Sequence, residues 1–119
     1  MENLKFSLKL TELPVEIENE DGSVSTYVLK EMDGAKRSSF LNDQSWRVKL
    51  KPDGEPESVS DYKHMQENAL TLCLYDPDGK LVPVAVLEKW PGAVLTALYK
   101  AAQALSGMGE VQKDEAKNE

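Results

Sequence analysis

The chain holds one histidine, His64, so any imidazole chemistry must run through it. Asp61 lies three residues before it and Asn68 four after, a spacing that on a helix would set a carboxylate beside the ring. The same spacing arises on most polar helix faces, and a solvated surface is the preferred reading. Cys73, the one cysteine, has no internal disulfide partner and sits in an apolar run where it behaves as a small hydrophobe. On a shared helix, about 100° per residue puts His64 and Cys73 on opposite faces, which excludes a joint metal site. Asp76-Pro77-Asp78-Gly79-Lys80 has the acidic start of a calcium loop, but its glycine comes too early, Lys80 stands where a third ligand belongs, and Leu87 replaces the closing glutamate. It reads as a turn. No glycine-rich phosphate loop or serine elbow is present in the sequence. No catalytic residue, metal or cofactor is predicted, and the chain is expected not to be an enzyme.

Recognition of a partner has better support. Lys36, Arg37, Arg47, Lys49 and Lys51 gather around Trp46, and nucleic-acid surfaces mix cations with an aromatic ring in this way. The formal net charge of -7 repels phosphate backbones and anionic lipid, so neither nucleic acid nor membrane is an expected partner. A basic docking face for an acidic protein is preferred. Further along, Ala93, Ala97, Ala101 and Ala104 make a small-residue stripe that admits a closely packed helix, from within the fold or from a partner. Trp90, before Pro91, either fills the core or anchors an interface. The candidate partner-binding residues are Trp90, Ala93, Ala97, Leu98, Ala101, Lys36, Arg37, Trp46 and Arg47.

Several elements must position these groups. Leu4, Phe6, Leu8 and Leu10 alternate with polar residues, the period of a strand. Pro14 breaks the chain before a hairpin, in which Val15 and Ile17 precede the turn residues 19–23 and a β-rich run from Val24 to Leu29 follows. Asp33 can cap a helix from Gly34 to about Arg47, after which extended chain and a loop over Lys51 to Glu57 are expected. Ser58 or Ser60 can cap the next helix, whose apolar face holds Tyr62, Met65, Ala69, Leu72 and Cys73, with Leu70 and Leu74 widening it. Beyond the Asp76 turn come extended chain, a helical turn near Val84 to Lys89, and a last helix. Pro91 opens that helix, Val94, Leu95, Leu98, Ala101, Ala102 and Leu105 form its face, and Ser106-Gly107 ends it.

The order predicts an α+β fold: a small N-terminal antiparallel sheet or hairpin followed by three to four helices. The 119 residues suit one domain over 1–107, with a disordered polar tail at 108–119. With no signal peptide or membrane span and no disulfide, a soluble cytoplasmic protein is expected.

Order and spacing also carry a resemblance. The N-terminal hairpin leads into Tyr27-Val28-Leu29-Lys30-Glu31, then Gly34, Lys36, Arg37 and a helix. Ala69-Leu70-Thr71-Leu72-Cys73-Leu74-Tyr75 follows, with Asp76-Pro77-Asp78-Gly79-Lys80 after it. Last come Trp90-Pro91 and a helix ending Ala101-Ala102-Gln103-Ala104-Leu105-Ser106-Gly107. Over most of residues 15–107 this resembles the tail assembly chaperones of long-tailed phages and prophages. The resemblance implies an α+β, self-associating protein of the host bacterial cytoplasm, often made also as a longer frameshifted form. It also implies that the protein coats the tape measure protein, helps recruit tail tube protein and is absent from the mature virion. Rival expectations are a completion or terminator protein retained in the virion, and a nucleic-acid-binding regulator.

Overall fold

The structure, a computed structural model, describes residues 4–59 and 61–107. Alternating Val15 and Ile17 meet a tight reversal at Asp21-Gly22, and the chain folds into an antiparallel hairpin of β1 (Glu12–Glu18) and β2 (Val24–Lys30). Gly22 supplies the left-handed φ of 88° that the turn requires. The Ser23 hydroxyl and amide both donate to the Asp21 carboxylate, holding that carboxyl below its usual pKa.

Pro14 lies within β1 rather than ahead of it. The Asn19 N–H donates to the Ser23 carbonyl and the Glu31 N–H to the Thr11 carbonyl, so the odd-numbered β1 residues bond toward β2. Pro14 therefore faces the free edge, where a missing N–H breaks no ladder.

Asp33 caps α1 (Gly34–Ser45) by accepting from the Lys36 amide at 2.9 Å. The helix stops just short of the expected Arg47, and β3 (Val48–Leu50) follows. The expected loop after Lys51 is instead the turn of a second hairpin, because Pro56–Val59 forms β4 and pairs Val59 with Val48. A proline is tolerated there since every strand of a two-stranded sheet is an edge.

The helical spacing from Tyr62 to Leu74 overstates α2, which spans Met65–Leu70. His64, at φ 59°, sets the chain into it without a side-chain cap. Ser58 lies in β4, and Ser60 lies outside the described residues. Leu74 and Tyr75 form β5, pairing with Leu29 and Val28, so the sheet order is β1-β2-β5. α3 (Val84–Leu87) and α4 (Gly92–Leu105) stand where expected, and Gly107 at φ 75° ends the latter. Leu4 to Leu10 is not a strand: its backbone joins no ladder and its apolar side chains are exposed. The expected tail at 108–119 lies outside the described residues.

The α+β class stands. The core lies between β2, β5, α1, α2, α3 and α4, where Leu29, Leu70, Leu74 and Leu87 are fully buried beside Phe40, Leu95, Leu98, Tyr99 and Ala102. Each large side chain among them contributes about 2 kcal/mol of burial. The Met32 amide donates to the Ser106 hydroxyl at 3.0 Å inside this core, tying the end of α4 to the exit of β2. Among the described residues no helix is long and apolar enough to cross a membrane.

Candidate partner-binding groove

Ile17 and Glu18 close β1, and Asn19 and Glu20 enter the hairpin turn beside them. Across from them α3 ends at Leu87, Pro91 interrupts the chain, and α4 begins, so Trp90 is held at a helix junction. Val86, Lys89, Trp90, Pro91 and Val94 face Ile17, Glu18, Asn19 and Glu20 across a groove of about 550 Å³. The indole stands edge-on to Tyr27 of β2, with centroids 5.4 Å apart and planes at 89°. That contact is worth about 1 kcal/mol beyond burial and fixes the ring half-buried, part packed and part open. Ile17, Trp90 and Val94 are its half-buried apolar lining, and the exposed Glu18, Glu20 and Lys89 add charge to it.

At about 100° per residue, Ala101 falls close to the direction of Val94 on α4, and Ala97 lies to the side away from Leu95. Ala93 and Ala97 are exposed and Ala101 is half-buried, so α4 beyond Val94 presents small side chains, with the exposed Lys100 on the same face. Leu98 does not belong to this surface. It is 5% exposed and packs in the core, because its position on α4 turns it inward toward the sheet and α2.

The fold engages two cations of the basic patch, Arg47 and Lys36. Arg47, 1% exposed, bonds both Asp43 oxygens through Nε and Nη2 at 2.9 and 3.2 Å. Its Nη1 donates to the carbonyls of Lys63 and Asp61, and its guanidinium lies 4.2 Å from the Trp46 ring centroid. Arg47 is therefore a clasp between the end of α1 and the chain before α2, not a partner contact. Lys36 donates to the Tyr75 hydroxyl at 2.6 Å. Arg37, Trp46, Lys49 and Lys51 remain on the surface.

His64 Nε2 and Glu88 Oε2 lie 3.3 Å apart, while Asp61 turns to the Lys63 amide and Asn68 to Asp43. The helix-face arrangement with Asp61 and Asn68 does not form, because His64 precedes α2 in a left-handed conformation. Cys73 is buried, which pushes its thiol up to about 11 against the opposing charge of Lys36. Asp76 Oδ1 accepts from the amides of Asp78 and Lys80, closing the turn its sequence suggests. Among the described residues no cluster of three or more His, Cys, Asp or Glu side chains could hold a metal ion.

Trp90 both packs against the core and lines this groove, while the opposite wall, Ile17 to Glu20, comes from far along the chain and has no local signal. No protein-family model, characterised protein or solved structure matches the chain.

Proposed function

We propose that the chain is a non-catalytic binding protein whose Trp90 groove and α4 flank accept an apolar stripe of a partner helix. With the resemblance in sequence order, the partner we assign is the tape measure protein of a long-tailed phage, and the role is tail assembly chaperone in the host cytoplasm. The groove supports this reading: Ile17, Trp90 and Val94 within it, with the exposed Ala93 and Ala97 on the same helix as Val94, offer a partner helix an aromatic anchor and room for close approach. A long amphipathic helix aggregates through its apolar stripe until a tube surrounds it. Many copies with modest affinity cover such a stripe and yield it when tail tube protein competes.

Co-expression with a tape measure fragment tests the proposal. The wild-type chain should keep the fragment in the supernatant. Ala97→Glu and Val86→Glu, at exposed positions, should weaken binding at least about tenfold by placing a charge against the stripe. His64→Ala should leave binding unchanged. A fragment that precipitates equally with and without this chain removes the chaperone reading, and a stoichiometric complement in purified virions assigns the chain to the particle instead.

A further inference from the structure

Leu4, Phe6 and Leu8 are 85%, 82% and 99% exposed, an unusual state for three apolar side chains at every second position, a spacing that strand geometry places on one face. The opposite face of this arm carries Lys5, Ser7 and Lys9. The arm leads into β1, which is the terminal strand of its sheet, with Leu13, Val15 and Ile17 on one face and Glu12, Pro14, Glu16 and Glu18 on the other. The backbone groups of those even-numbered residues point away from β2 toward the free edge.

Arm and edge match on both faces in one antiparallel register. Leu8, Phe6 and Leu4 then oppose Leu13, Val15 and Ile17, while Lys9 and Lys5 oppose Glu12 and Glu16. Ser7 meets Pro14, whose carbonyl still accepts although its nitrogen has no proton to donate. Opposite charges and apolar pairs directly across strands each stabilise such a ladder.

We propose that the arm of one copy adds as a strand to the β1 edge of a second copy, giving a reciprocal two-fold dimer in which the two segments cross near Leu10 and Thr11. The chain's own edge is denied to the arm. Folding back in this register needs a two-residue turn at Leu10-Thr11, and such turns require a left-handed φ that glycine, asparagine or aspartate supplies. Thr11 is moreover already engaged with β2: its carbonyl accepts from the Glu31 N–H at 2.8 Å and its own N–H donates to Glu31 Oε1 at 3.1 Å. A second copy satisfies the same pairing with no turn at all. The occupant is identified by charge, since the lysine face of the arm finds its complement in the glutamate face of β1. The inference is independent of the client helix.

A charge exchange tests it in sedimentation experiments on the full chain. The wild type should sediment as a dimer. Lys5→Glu/Lys9→Glu sets acidic arms against acidic edges, and Glu12→Lys/Glu16→Lys sets basic arms against basic edges, so each variant alone should associate at least about tenfold more weakly. Mixed in equal amounts, the two should form a heterodimer, because both of its contacts are again complementary. All four positions are exposed, and far-UV circular dichroism of each variant checks that the fold is intact. A wild type that stays monomeric at the highest attainable concentration overturns the proposal, as does a mixture that fails to associate. Neither result bears on tape measure binding, which the solubility assay reads separately.

Discussion

Arg47, 1% exposed as a residue, has surrendered the hydration of its guanidinium and replaces it with both oxygens of Asp43 and two backbone carbonyls. Arg47→Met removes the charge but strands those acceptors, and the expected loss is about 3 kcal/mol in urea denaturation. Arg47→Lys should recover only part, because one ammonium cannot serve the planar fork that Asp43 occupies and also reach Lys63. Full stability in either variant would show that the clasp is dispensable. Cys73 makes a second prediction through its thiol, which burial raises from 9.0 to about 11. The folded protein then holds this proton longer than the unfolded chain does. Stability from the neutral thiol is intact below about pH 9 and is lost as pH climbs toward 11, by up to about 2 kcal/mol. Burial also raises the Tyr99 phenol, so the difference between wild type and Cys73→Ala isolates the thiol's share. The variant should show a flatter fall in stability from pH 9 to 11, and parallel profiles would contradict the assignment.

Elements were legible where a local signal decides them. Asp21-Gly22 forces a reversal whatever lies around it, Asp33 satisfies an orphan helix amide from three residues away, and Pro91 with Gly107 brackets α4. The misreadings share one cause, which is that periodicity states what a segment can bury and not what lies beside it. Leu4 to Leu10 has strand periodicity, but β2 runs out at Lys30, and among the described residues no strand pairs with the arm. Leu74 continues a helical stripe, yet β2 has an open side and claims it together with Tyr75. Pro56 argues for a loop until β3 and β4 pair with no third strand, which makes the position harmless. The same limit governs the groove. Trp90, Ala93 and Ala97 could be flagged because helix spacing and an aromatic beside proline are local facts. Leu98 and Arg47 could not be sorted into core and clasp, since both depend on what folds over them.

At the scale of the whole molecule, the question is whether the β3–β4 hairpin belongs to the same cooperative unit as the main sheet. Its strands pair with each other and not with β1, β2 or β5, whereas α1, α2 and α4 share the central core. The hairpin's connection runs through the chain on either side of it, where Arg47 grips Asp43 behind and Asp61 and Lys63 ahead. Two tryptophans report the two regions: Trp46 lies against Arg47 at the mouth of the hairpin, and Trp90 against Tyr27 on the main sheet. With the clasp buried and α1 contributing Phe40 to the core, opening one region exposes groups of the other, and unfolding should be a single transition. Trp46→Phe and Trp90→Phe, each leaving one reporter, should therefore give the same urea midpoint by fluorescence once each is compared with its own circular dichroism. In the Arg47→Met background the link is cut, and the Trp46 signal should change at lower urea than the Trp90 signal. Separated midpoints in the otherwise wild-type chain would mean that the hairpin is an independent unit and that Arg47 merely decorates its base.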